Sequence, residues 1–224
     1  VTNFCPPTIV HQRRLPRRER GALVAARRGP MLLLSTAAAV PPLAGYTPAT
    51  LLSVPKTSAD FSCTFRHARL CESASLRKAA GESIEHLLLK ALVWALYLPA
   101  HPSAVCEPGP LSRLGVYGGG LPYHPDVVAL TPSGEPTWWA ECGSVSVRKL
   151  EALNRAHPRS RFTIAKWGRS DLRGYAAQLR ASLPADTAGR FEVISWPADA
   201  PERCIDQDGA VHVSFDDLLD REVL

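Results

Sequence analysis

The chain has 224 residues, which is enough for one good-sized domain or two small ones. Hydrophobic residues make up 46% and charged residues 21%, a mixture that is typical of globular proteins and excludes a largely disordered chain. No apolar run in the sequence reaches the roughly 18 residues that a membrane-spanning helix needs. The composition therefore predicts a folded protein without a membrane span.

Positive charge is concentrated near the N-terminus. Residues 1–50 hold seven Arg against one acid, whereas the whole chain carries a formal net charge of +5 at pH 7. We predict a poorly ordered basic tail over residues 1–55, followed by one domain over residues 56–224. Residues 27–45 are similar to a signal peptide. We favour a start site placed too early, because the chain begins with Val and its only Met is Met31.

The six cysteines form no C-x-x-C pair, and no histidine cluster stands at zinc-ligand spacing. We interpret them as reduced, mostly buried thiols of a cytoplasmic protein. The alternative is a secreted domain held by disulfides.

The first predicted elements of the domain are a strand and a long helix. Residues 60–70 alternate apolar and polar side chains, which predicts a strand. Residues 74–98 are predicted as a helix that ends at Pro99. From Ile84 onward the apolar residues of this helix run almost all the way round, so we expect it to be buried on most sides.

A hairpin follows a loop rich in proline and glycine, and its turn is expected at Ser133-Gly134. The alternation of strands and helices predicts an α/β fold in the order β-α-β-β-α-β-α-β, with a central mixed sheet flanked by helices. The later predicted elements are the hairpin strands 124–130 and 137–143, helix 145–156, strand 161–167, helix 172–183, strand 191–196, a short strand 210–213 and a last helical turn.

The hairpin places two acids opposite each other. With its turn at Ser133-Gly134, Asp126 pairs with Glu141, and directly opposed residues on one face have Cβ atoms about 4.5–5.5 Å apart. Two carboxylates so close repel unless a cation or a proton lies between them, and Mg²⁺ or Mn²⁺ suits such oxygen ligands. The alternative is an exposed hairpin with one Asp and one Glu on its solvent face.

Several motifs together give the chain a family resemblance. Pro125-Asp126 and Glu141 resemble the motif of the restriction-endonuclease-like PD-(D/E)xK nuclease superfamily. Residues 81–85 (GESIE) before the apolar run 86–98, and residues 139–143 (WAECG) before a helix with basic residues, resemble the YaeQ branch of that superfamily. The resemblance covers residues 58–215 and implies a restriction-endonuclease-like fold.

The resemblance also implies roles for particular residues. Asp126 and Glu141 would bind the metal ion and serve catalysis, and Glu82 or Glu85 would complete the acidic cluster. Glu82 and Glu85 are equally explained as early-turn acids that favour the helix dipole. The superfamily lysine is absent, because Gly143 stands in its place. Lys149 is the best substitute and Lys166 the second, although Lys149 is also explained as a residue of a solvated helix face.

Two functions remain open from the sequence. The leading hypothesis is a Mg²⁺-dependent nuclease-like enzyme that acts on nucleic-acid phosphodiesters. The second is a catalytically inactive nuclease-fold accessory protein that binds nucleic acid or a protein partner. Six basic residues, within about twenty positions of each other, favour contact with phosphates in either case: Arg148, Lys149, Arg155, Arg159, Arg161 and Lys166.

Overall fold

The structure is a computed structural model, and it describes residues 47–58, 61–108, 121–168 and 171–224. The described part contains five α-helices and nine strands. In chain order they are α1 (Pro48–Leu52), β1 (Ser62–His67), β2 (Ser73–Arg77), α2 (Ile84–Tyr97), β3 (Val105–Cys106), β4 (Val127–Leu130), β5 (Pro136–Cys142), α3 (Val147–Ala156), β6 (Arg161–Trp167), α4 (Leu172–Ser182), β7 (Phe191–Trp196), α5 (Ala200–Cys204), β8 (Ala210–Val211) and β9 (Asp220–Val223).

The strands form two mixed sheets. The larger sheet has six strands in the order β3-β4-β5-β6-β7-β9; β5, β6 and β7 run parallel, and the other neighbours are antiparallel. The smaller sheet has the order β2-β1-β8, with β1 antiparallel to β2 and parallel to β8. The predicted mixture of strands and helices is confirmed, but the strands are divided between two sheets rather than joined in one.

The predicted element order differs from the structure at several points, because α1, β2, β3, α5 and β9 were not predicted. Residues 73–77, predicted as the start of the long helix, form β2, in which Ala74 and Leu76 alternate with exposed neighbours and are buried. The helix begins only at Ile84, because the side chain of Ser83 caps it by accepting a hydrogen bond from the His86 amide. The predicted last helical turn is a short 3₁₀ helix over Phe215–Asp217, and it is followed by β9.

Part of the predicted tail is described. The short helix α1 begins after Thr47, whose hydroxyl caps it, and it buries Leu51 in the core. Residues 1–46 lie outside the described residues. Among the residues that are described, no helix combines the length and the apolar character that crossing a bilayer requires.

Two apolar cores lie on the two faces of the larger sheet. On one face, α2 packs against the odd side chains of β4 and the even side chains of β5, among them Val127, Trp138 and Ala140. On the other face, α3 and α4 pack against the alternate residues of the same strands, among them Val128 and Trp139. This alternation decides which helix each side chain of the hairpin can reach.

Candidate functional site

The pairing predicted for the hairpin is confirmed up to its turn. Val127 pairs with Ala140, and Val128 pairs with Trp139, which is the register that sets Asp126 opposite Glu141. The register shifts by one residue only near the turn, where Gly134 has a φ of +86°. The amide of Asp126 donates to the carbonyl of Ala140 at 3.2 Å, so the pairing extends to the first acid.

The carboxylates of the two acids nevertheless reach different helices, although the charge of Asp126 still acts to raise the pKa of Glu141. Glu141 lies on the same side of β5 as Trp139, in the core that includes α3. Asp126 stands in a bend before β4 begins, and its side chain therefore does not follow the alternation of the strand. It reaches His86 of α2 instead, with 3.2 Å between Oδ1 and Nε2.

Glu141 is held by two donors on its own face. The Trp139 indole donates to Oε1 at 2.7 Å, and the Lys149 ammonium donates to Oε2 at 2.6 Å. Lys149 is placed by α3, whose first turn is capped by the hydroxyl of Ser146, and its ammonium lies 5.3 Å from the ring centre of Tyr123. The structure therefore brings Glu141 and Lys149, two of the predicted site residues, into direct contact.

A second group of acids surrounds a buried lysine on the α2 face. The ammonium of Lys90, whose side chain is only 5% exposed, forms ion pairs with Glu82 and Glu107 and lies 3.9 Å from Asp126 Oδ1. Asp126 Oδ2 accepts a hydrogen bond from the amide of Cys142 at 2.7 Å. We call Glu82, Lys90, Glu107 and Asp126 the Lys90 cluster.

The Lys90 cluster is held from outside as well as from within. The other oxygen of Glu82 accepts a hydrogen bond from the Ala79 amide at 2.7 Å. Glu107 has a φ of +39°, and its amide donates to the carbonyl of Asp126 at 2.9 Å. His86 lies at the rim of the cluster, with Nε2 3.6 Å from Glu82 Oε1. The cluster therefore joins α2 to the chain segments before β4 and after β3.

The surroundings shift the pKa values of the charged groups in different directions. Burial acts to lower the pKa of Lys90, but its hydrogen bonds to Glu107 and Glu82 outweigh burial and the pKa is raised. Burial acts to raise the pKa of Asp126, but His86 and the Cys142 amide lower it below its usual range. For Glu141 burial prevails over Lys149 and Trp139, and its pKa is raised.

Asp126→Asn and Glu141→Gln are expected to change the pH dependence of stability in opposite directions. The lowered pKa of Asp126 adds stability above about pH 3.9, its unfolded value, and this stability is lost as the pH falls through the folded value. The raised pKa of Glu141 adds stability only at low pH, fully present below about pH 4.3 and lost as the pH rises through the folded value.

Urea unfolding from pH 7 to pH 2.5 measures both effects. The stability of Asp126→Asn should fall less than that of the wild type below about pH 4. The stability of Glu141→Gln should fall more steeply than that of the wild type between about pH 6 and pH 4. A change of the same sign in both variants would contradict the assigned directions.

The backbone explains why no lysine stands at position 143. Gly143 has a φ of +82°, a conformation that strains any other L-residue, and a Cβ there would lie 3.5 Å from His86 Nδ1. Its carbonyl accepts a hydrogen bond from Lys166, and the Lys166 ammonium lies 4.9 Å from the ring centre of Tyr175. Lys166, the second substitute, therefore reaches the backbone at position 143.

The structure separates the predicted site residues into two groups. Asp126 and Glu82 meet in the Lys90 cluster, while Glu141 and Lys149 meet on the other face. Glu85 is exposed on α2, and its backbone carbonyl accepts a hydrogen bond from the Trp167 indole at 3.0 Å. Lys90 and Glu107 were not predicted as members of the site.

The positions of the acids determine whether a divalent metal ion can bind at the site. Among the described residues, no group of three or more His, Cys, Asp or Glu side chains is arranged to hold a metal ion. The ammonium of Lys90 lies where the acids of the α2 face converge, and the ammonium of Lys149 is paired with the carboxylate of Glu141. As placed, these side chains do not fit a resident Mg²⁺ or Mn²⁺.

Comparisons with known proteins give structural neighbours only. No family model matches the chain, and no curated protein matches it either. The YaeQ protein from Xanthomonas axonopodis pv. citri aligns with a TM-score of 0.40 and 18% identity, over 64% of this chain and 71% of that one. The YaeQ protein from Pseudomonas syringae aligns with a TM-score of 0.43 and 14% identity, over 64% of this chain and 75% of that one.

Proposed function

We propose that this chain is a nucleic-acid-binding accessory protein with a YaeQ-type, restriction-endonuclease-like fold and without hydrolytic activity of its own. The single observation that carries the proposal is the Lys90 cluster. A nuclease of this type needs carboxylates that are free to bind a divalent ion. Here a buried ammonium of the chain itself balances Glu82 and Glu107, and Asp126 lies within ion-pair reach of it. The fold assignment rests on the order of the sequence motifs.

The choice of nucleic acid as partner rests on charge. Residues 148–190 contain ten Arg or Lys against three acids, although residues 51–224 as a whole are close to neutral. This segment includes α3 and α4, which cover one face of the larger sheet. A basic surface of this kind meets phosphate groups without needing any catalytic residue. Its exposed arginines on these helices are Arg148, Arg155, Arg173 and Arg180; Arg155 pairs with Glu151, and Arg173 and Arg180 pair with Glu222.

Binding is measured with labelled single- and double-stranded DNA and RNA over a range of salt concentrations. We expect binding that weakens as salt rises, and Arg148→Glu should weaken it for all sequences alike and reduce the salt slope by about 1. The matched control is Arg69→Glu, an exposed arginine beyond the end of β1 in the smaller sheet. Equal losses in both variants would contradict a binding face on α3, and absence of binding would overturn the proposal.

The same substrates, incubated with Mg²⁺ or Mn²⁺, test the second candidate, metal-dependent phosphodiester hydrolysis. That candidate is favoured by the hairpin register, which sets Asp126 opposite Glu141, and by the contact of Lys149 with Glu141. Cleavage by the wild type that is lost in both Asp126→Ala and Glu141→Ala would establish hydrolysis and overturn the accessory role. A titration with Mn²⁺ gives an independent reading, because the accessory role predicts no uptake.

A further inference from the structure

A small cavity lies at the end of the larger sheet opposite the acids. It has a volume of about 70 Å³ and is bordered by the starts of β6 and β7 and by β9. The seven residues of β6 separate it from the Lys166 end of that strand by roughly 20 Å, at about 3.3 Å per residue. Its lining residues are Arg161, Phe162, Gly189, Arg190, Phe191, Glu192, Arg221 and Val223.

Two of the three arginines of this cavity are fixed in place. Arg190 donates to the carbonyls of Ser160 at 3.3 Å and His157 at 3.2 Å. Arg221 pairs with Glu192 through Nη2 at 2.8 Å, and its guanidinium lies 4.4 Å from the ring centre of Phe215. Both side chains therefore have little freedom left to lose when a ligand binds.

Arg161 completes the set and is free to bind. It is exposed, and within the part of the chain that the structure describes its guanidinium has no ion-pair or hydrogen-bond partner. Its positive charge acts on His101: after burial, the Arg161 guanidinium is the largest cause that lowers the pKa of His101. A free guanidinium beside two fixed ones leaves donors available toward the cavity.

Among the described residues that line the cavity there is one acid, Glu192, and its carboxylate already has hydrogen-bond partners. Its Oε1 accepts hydrogen bonds from the hydroxyls of Tyr97 at 2.6 Å and Thr163 at 2.8 Å, and its Oε2 accepts one from Arg221 at 2.9 Å. Three guanidinium groups against one carboxylate leave the lining with a net positive charge. The cavity therefore favours an anion.

We propose that Arg161, Arg190 and Arg221 form a binding site for a phosphate group. Guanidinium groups present parallel N–H donors that match the oxygens of phosphate, and the small volume admits the group itself rather than a nucleoside. The phosphate can belong to a nucleic-acid backbone or to free phosphate or a small phosphate ester. The site does not depend on the proposed function, because inorganic phosphate alone is sufficient to occupy it.

Isothermal titration of the full chain with inorganic phosphate, at constant ionic strength, tests the site. We expect Arg161→Gln to weaken binding by roughly tenfold or more, because one charge-assisted hydrogen-bonding partner is lost. The affinity of Arg161→Lys for phosphate should lie between those of the wild type and Arg161→Gln, because lysine keeps the charge and loses the paired donors. The matched control, Arg69→Gln, removes an exposed arginine beyond the end of β1 that does not line the cavity and should leave the affinity unchanged.

The source of the phosphate is distinguished by competition with a single-stranded oligonucleotide. Displacement of inorganic phosphate by the oligonucleotide identifies a nucleic-acid backbone as ligand, whereas independent binding identifies free phosphate or a small ester; both outcomes support the site. Absence of phosphate binding by the wild type, or equal affinity in Arg161→Gln, would overturn it. Because Arg161 is exposed, its variants should unfold at the wild-type temperature without phosphate, which separates lost binding from lost folding.

Discussion

Replacing Lys90 with methionine is expected to lower the free energy of unfolding by about 3–5 kcal/mol at pH 7. Methionine is close to lysine in length and keeps the apolar contacts of α2, so the loss reports the charge. Without the ammonium, Glu82 and Glu107 lose their ion-pair partner, and Asp126 loses a nearby positive charge, in a site that is largely closed to water. Urea unfolding followed by far-UV circular dichroism measures the change.

The pH dependence of this loss separates charge from packing. In Lys90→Met the pKa of Asp126, which Lys90 helps to lower, should rise, so the difference in stability from the wild type should shrink as the pH falls and Asp126 takes up a proton. The matched control is Lys149→Met, which removes an ammonium that is 20% exposed and whose one ion pair among the described residues is with Glu141, and it should lose less stability. A loss that is the same at pH 7 and pH 5 would assign the effect to packing.

The hairpin and the four elements that follow it, α3, β6, α4 and β7, could be predicted because their signals are local. Strands β6 and β7 have the predicted bounds, and helices α3 and α4 begin within two residues of theirs. The register of β4 and β5 followed from a tight turn at a glycine that adopts a positive φ. Short-range turn chemistry and strand alternation were sufficient here, because each of these elements carries its periodicity and its end signals in its own sequence.

The missed strands lack a clear signal in their own sequence. β2 was missed because Ala and Leu favour helices, while its alternation of buried and exposed residues spans only five positions and acts through pairing with β1. β9 was missed because three of its four residues are charged and none is buried, so it is recognised as a strand only through its pairing with β7. In both cases tertiary pairing prevails over local propensity.

The centre of the site was missed for a different reason. Lys90 was not predicted as part of the site, although a lysine on a helix buried on most sides requires carboxylates near it. Acidic partners for Lys90 could have been predicted from that requirement. Glu107 could not be singled out, because it reaches the cluster from an irregular segment after β3 and no sequence pattern fixes its backbone.

Trp138→Ala is expected to cost about 3–5 kcal/mol of stability. Trp138 is 1% exposed; its ring stacks on Tyr97 with 4.7 Å between centroids, and its indole donates to Thr163 at 2.9 Å. Tyr97 and Thr163 both hold Glu192, so the truncation removes support from α2, β6 and β7 at once. Trp138→Phe is the matched control: it keeps most of the ring packing, loses the indole donor, and should cost less than half as much. Thermal and urea unfolding measure both variants. Equal losses would assign the stability to the hydrogen bond to Thr163 rather than to the stacked rings, because only that bond is absent from both variants.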